Sequence, residues 1–145
     1  GPADRPGGFQ GLIDLIERKA LYFGRGEDQG KTIDAKEIPA ELVDDAELWR
    51  MKLLDAVTLL DDDAFAAYDA TGDIAPDILR KAVRKGTIAS QIQPLLCGAS
   101  LSYVGVQPVL DGVMWYLPSP LDVPPVKGTN PNPKKPGEEL RKPHP

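Results

Sequence analysis

Residues 92–120, IQPLLCGASLSYVGVQPVLDGVMWYLPSP, hold the most informative pattern in the chain. The apolar run Leu95-Leu96-Cys97 leads into the small residues Gly98-Ala99-Ser100. A turn over 102–105 follows, and then an amphipathic segment stopped by Pro118. This order predicts a strand over 92–97, a small-residue loop, and a helix over 105–117 that buries Val106, Val109, Leu110, Val113 and Leu117. Strand, loop and helix in succession are the grammar of α/β nucleotide-binding domains, in which ligands sit beyond the carboxyl ends of strands.

Upstream of this stretch the punctuation is helical. Pro76 and Asp77 start a helix with Leu79, Ala82 and Val83 inward, Arg80, Lys81, Arg84 and Lys85 in its last turns, and Gly86 as its cap. Asp61-Asp62-Asp63 reads as a helix start, since the macrodipole favours anions there, with a short helix over 64–70 ending at Thr71-Gly72. A longer helix opens at Pro39. Leu42, Ala46, Trp49, Leu53, Val57 and Leu60 form its apolar stripe, and Glu41, Asp44, Asp45, Lys52 and Asp55 lie opposite. Before it, 9–23 is flanked by glycines and reads as one long or bent strand, although a helix also fits its spacing. GRGEDQG, 24–30, reads as a hairpin loop, with 31–38 as the returning strand. The order is strand, strand, three helices, strand, helix, tail, an α+β (α/β) class. It matches an insertion followed by the closing strand and helix of something larger.

The tail reads differently. Seven of the fifteen prolines fall in 124–145 among lysines, which predicts an extended, mobile linker beyond a fold ending near Val126.

Composition narrows the chemistry. The formal net charge of −5 argues against direct nucleic-acid binding by this chain and favours a basic protein partner. One cysteine, Cys97, makes neither an intramolecular disulfide nor a thiolate zinc cluster, which suits a reducing cytoplasm. No apolar run approaches a bilayer span, and no charged-then-apolar leader is expected. The one histidine, His144, lies in the tail, which leaves no basis for a Ser–His or Cys–His pair. GRGEDQGKT, 24–32, resembles a phosphate loop superficially. Its glycine spacing misses GxxxxGKT from either side, and a strand rather than a helix follows, so it reads as a polar hairpin loop. No residue is assigned a catalytic role.

Several ordered motifs resemble one family. Phe9-Gln10-Gly11-Leu12-Ile13-Asp14-Leu15-Ile16, Ile38-Pro39-Ala40-Glu41-Leu42, Arg84-Lys85-Gly86-Thr87-Ile88-Ala89, Val106-Gln107-Pro108 and Tyr116-Leu117-Pro118-Ser119-Pro120 through Pro125 resemble bacterial translation elongation factor G, over about 9–128. The Gly- and Pro-rich start reads as an entry loop over 1–10, and the resemblance implies an inserted subdomain of the GTPase domain over 11–90. It further implies the last strand and helix of that P-loop domain over 91–120, and a linker over 121–145. It makes Gly98, Ala99, Ser100 and Leu101 the loop that contacts the guanine base. This chain departs from the family's Gly-Ser-Ala order there, and has Ser102-Tyr103-Val104-Gly105 in place of Lys-Asn-Lys-Gly. The parent would bind GTP or GDP with Mg and work on the ribosome in translocation or a related step. Its phosphate loop, switch regions and Asn-Lys-x-Asp motif do not occur in this sequence, so this chain is expected neither to bind nor to hydrolyse GTP. The inserted subdomain would meet the basic ribosomal stalk protein through Glu41, Asp44, Asp45 and Asp55. A reading of another class is a free-standing acidic interaction module for a basic protein.

Overall fold

The computed structural model describes residues 8–122, 124–130, 134 and 137–142. The expectations for 1–7 and for His144 lie outside that set. Three short strands come first: β1 (Gly11–Asp14), β2 (Lys19–Phe23) and β3 (Ile33–Lys36), an antiparallel sheet in the order β1-β2-β3. Four helices follow: α1 (Val43–Thr58), α2 (Asp62–Thr71), α3 (Pro76–Ile88) and α4 (Val106–Tyr116). An exposed ribbon of β4 (Val126–Thr129) and β5 (Glu138–Arg141) closes the order. The class is α+β. No helix among the described residues is long and apolar enough to cross a membrane.

The single strand expected over 9–23 is instead a hairpin. Asp14 explains the break, because its carboxylate accepts from the N–H groups of Ile16 (2.8 Å) and Glu17 (3.0 Å) and so folds the chain into a turn. Arg18, with φ of 56°, returns it to β2. The hairpin loop and returning strand read from GRGEDQG are present, with β2 paired to β3 from Ala20 against Lys36 to Phe23 against Ile33.

The core is helical. Leu54, Val57, Ala64, Ile74, Leu79, Ala82, Val83 and Tyr116 form it, with Ile16, Leu53, Ile78 and Ile92 packed on its edge. Each fully buried large aliphatic side chain stabilises the fold by about 1.5–3 kcal/mol relative to exposure. The helix starts read from sequence hold where chemistry dictates them. Asp61 caps α2 by accepting from the Ala64 N–H at 3.0 Å, an arrangement worth about 1 kcal/mol. Its other oxygen meets Lys85 at 2.7 Å, and the Lys85 ammonium with the Ala64 N–H holds the carboxyl below its ordinary value.

Four expectations fail in this region, each for a physical reason. Of the stripe expected on α1, Ala46 and Val57 are buried and Leu53 packs on the core edge, but Arg50 and Leu54 complete the buried face, while Leu42 is exposed and Trp49 is 56% exposed. Arg50 lies one full turn from Ala46 and from Leu54, and its guanidinium finds enough acceptors to be buried. The Trp49 ring is turned out beneath the Lys52 ammonium, 4.1 Å away. Gly86 does not cap α3. It is buried two residues before the end, where a Cβ would lie 2.8 Å from Ile92 and 2.9 Å from Leu60 and would push those side chains aside. Residues 92–98 form no strand. Pro94 offers no N–H, and the described residues supply no neighbouring strand, leaving an isolated bridge between Ala99 and Val104.

The fourth failure is α4. Val106, Val109, Leu110, Val113 and Leu117 all face solvent, and Met114 is 78% exposed. Gly112 and Tyr116 make its buried side, with Leu96 packed so close that a Cβ on Gly112 would sit 2.9 Å from it. The tail also differs from expectation, since 126–129 and 138–141 pair as an exposed two-stranded ribbon, whereas 131–133, 135–136 and 143–145 lie outside the described residues.

Candidate functional site

The small-residue loop stands on a narrow base. Ala99 and Val104 exchange backbone hydrogen bonds, at 2.9 Å from the Ala99 N–H and 3.1 Å from the Val104 N–H. The N–H of Ser102 donates to the Ala99 carbonyl and that of Tyr103 to the Ser100 carbonyl, closing a 3-10 turn over Ser100–Ser102. Those bonds occupy the amides on both sides of the loop tip. The N–H groups of Ser100 and Leu101 have no partner among the described residues. Gly98 and Ser100 are exposed, Ala99 is half-buried, and Leu101 is 97% exposed. Two adjacent free N–H donors on an exposed turn suit a ligand oxygen or carbonyl-like acceptor.

The acidic set lies elsewhere. Glu41 sits in a 3-10 turn over Ala40–Leu42, and Asp44, Asp45 and Asp55 lie on α1. All four are exposed, and none forms an ion pair with a described residue. Asp44 and Asp55 are separated by three helical turns and share one face, with exposed Leu48 and Met51 between them. No described contact joins this face to the 98–101 loop.

Two clusters escaped sequence reading. Arg50, only 3% exposed, donates to the carbonyls of Leu15, Ile16 (3.3 Å) and Ile74 (3.0 Å) and to Asp73 Oδ1 (2.6 Å). Burial pushes the Asp73 carboxyl up, but the Arg50 guanidinium and the Ile74 N–H outweigh it and hold the group below the usual carboxylate range. The available signal was an arginine placed four residues from both Ala46 and Leu54 in an otherwise apolar row. Arg84 is the second centre. It donates to the carbonyls of Trp115 (3.0 Å) and Leu117 (3.1 Å), covering the open end of α4, and to Asp122 (2.6 Å). Asp122 also accepts from the Ser119 N–H (2.7 Å) and hydroxyl (2.8 Å), which keep its carboxyl below the ordinary range. The Ser-Pro-Leu-Asp run after α4 is therefore a fixed turn rather than free chain.

No protein-family model matches the chain. The crystal structure of a protein from Thermus thermophilus matches it with a TM-score of 0.67 over 86% of its length, at 23% identity. The fold is shared. This chain spans 19% of the length of that protein.

Proposed function

We propose that the chain is the inserted subdomain and the closing segment of the P-loop GTP-binding domain of an elongation factor G-like translation GTPase. The observation that carries this reading is the apolar outer side of α4 beside segment 92–98, which joins no sheet among the described residues. A helix with apolar residues on nearly every side belongs in the interior of a larger structure. Residues 92–98 pair with no strand among the described residues, as the closing strand of a sheet would without its neighbours. The ordered motifs from Phe9 to Pro125 supply the family, and the shared fold with a much longer protein is compatible with it.

On this reading Gly98, Ala99, Ser100 and Leu101 meet the guanine base through the two free N–H groups of Ser100 and Leu101. Backbone donors make the exchange of alanine and serine tolerable. Phosphates, Mg and the attacking water are handled by segments that this sequence does not contain. The parent couples GTP hydrolysis to translocation or a related step on the ribosome, in the cytoplasm. Calorimetric titration of GDP and GTP into the 145-residue chain is expected to show no binding. A micromolar affinity would contradict the reading.

The exposed carboxylates at Glu41, Asp44, Asp45 and Asp55, which form no ion pair with a described residue, favour a partner surface for a basic protein, the ribosomal stalk protein of the family. A free-standing acidic interaction module would use the same face. Charge complementarity of this kind mainly speeds encounter and weakens with salt. Asp44→Lys with Asp55→Lys is expected to lower the association rate for the C-terminal domain of the stalk protein about tenfold at low salt. An unperturbed NMR spectrum of α1 on adding that domain would remove the site.

A further inference from the structure

Gly30 is buried at the end of the β2–β3 loop, with φ of +71°. A Cβ at this position would lie 2.1 Å from the Tyr103 carbonyl oxygen, closer than any side chain tolerates. Only glycine lets the loop seat against residue 103. From the first turn of α4, Gln107 Nε2 donates to the Gly30 carbonyl and fastens the same loop from the other side. The loop that carries Gly30 is stiff in its own right. Asp28 accepts from the Thr32 N–H (2.9 Å) and hydroxyl (2.7 Å), and the Gly24 and Gly30 N–H groups donate to Thr32 and Gly24 carbonyls at 2.9 Å. Gly105 is also closely packed, for a Cβ there would lie 2.8 Å from the Cys97 carbonyl oxygen and 2.9 Å from Leu12 of β1.

We infer that Gly30 and Gln107 are positioning residues for the Ser100 and Leu101 amides, with the β2–β3 loop acting as a brace on 99–103. The guanine-binding role of those amides rests on the function proposed above. Tyr103 shows why a brace is needed. Its φ of 57° is a left-handed conformation that a bulky residue rarely adopts. Such a conformation persists where the surroundings over-determine it. Here the Ala99–Val104 bridge holds one side and Gly30 the other. Without the brace Tyr103 relaxes toward ordinary backbone angles, and the turn bearing the two free donors moves with it. Donors aimed a fraction of a turn away lose most of a hydrogen bond, since the interaction weakens steeply with angle. The sheet of the inserted subdomain is thereby joined mechanically to the base-contacting loop.

Gln107 provides a gentle way to test this. Its Oε1 is buried without a donor among the described residues, so Gln107→Leu removes an unsatisfied acceptor together with the brace. Amide hydrogen exchange on the 145-residue chain is the direct readout. In Gln107→Leu and in Gly30→Ala, protection of the Ser102, Tyr103 and Val104 amides is expected to fall about tenfold or more. The Leu54 and Val57 amides of α1 are expected to keep theirs. Unchanged protection over 102–104 in both variants would overturn the brace. In the longer protein that the proposed function implies, Gln107→Leu is expected to release GDP about tenfold faster, the effect of one lost hydrogen bond. An unchanged release rate with a loosened loop would overturn the positioning role. A longer protein that binds no GDP in its unmutated form would instead overturn the proposed function, while the exchange data still decide the brace.

Discussion

Arg50→Ala is expected to destabilise the chain by about 3–5 kcal/mol, which approaches the whole stability of many small domains. Three backbone carbonyls, those of Leu15, Ile16 and Ile74, take their hydrogen bonds from this one guanidinium. The Ile74 carbonyl is buried and costs about 1–3 kcal/mol without a donor, and the half-buried Leu15 and Ile16 carbonyls cost less each. The truncation also leaves a void beneath the β1–β2 turn. Asp73 is 45% exposed on its side chain, so water takes over much of its solvation and the loss comes mainly from the carbonyls. Arg50→Lys is expected to be intermediate, since an ammonium does not span the forked set of acceptors. Urea denaturation followed by circular dichroism measures both. A loss below about 1 kcal/mol for Arg50→Ala would show that the cluster is peripheral. The Asp73 pairing also carries a pH signature. Its folded-state pKa is lowered, so its contribution is fully present above the ordinary aspartate value of about 3.9 and is lost as pH falls through the folded value. Arg50→Ala should flatten that acid-side fall.

The second large effect concerns α4 and depends on what surrounds it. In the 145-residue chain, Leu110→Lys with Met114→Lys is expected to change stability by less than about 0.5 kcal/mol, because both side chains face solvent. The same pair should abolish any self-association of the chain at high concentration, since it breaks the apolar outer side. In the longer protein the two lysines would be buried without partners, and a loss of several kcal/mol or failure to fold is expected. Sedimentation and denaturation of both proteins decide this. Equal, small effects in the two would place the α4 face at a free surface.

Much of the helical layer was legible in the sequence because its signals are local. Pro76 at a first turn, Asp61 as a cap and Gly72 as a left-handed stop act through neighbouring backbone, and each sits where its chemistry requires. Burial was less legible, because it depends on what packs against each face. The stripe read for α1 is right at Ala46 and Val57 and wrong at Leu42 and Trp49, which are exposed, because Arg50 with its long-range acceptors takes the inner place. The same holds for 92–117. Pattern alone points to a strand and an amphipathic helix there, and the structure has the helix without the expected burial and no ladder over 92–98 among the described residues. The loop residues Gly98, Ala99, Ser100 and Leu101 were named from resemblance. Their support by Gly30 and Gln107 joins positions 77 residues apart, which no local spacing reveals.

On the proposed function, α4 is covered in the longer protein and bare in the 145-residue chain. Hydroxyl-radical labelling of Met114 and Leu110, read by mass spectrometry, tests it most directly when the 145-residue chain and the longer protein are compared. Strong labelling in the first and protection in the second is the predicted result. Equal labelling of Met114 and Leu110 in both would contradict it.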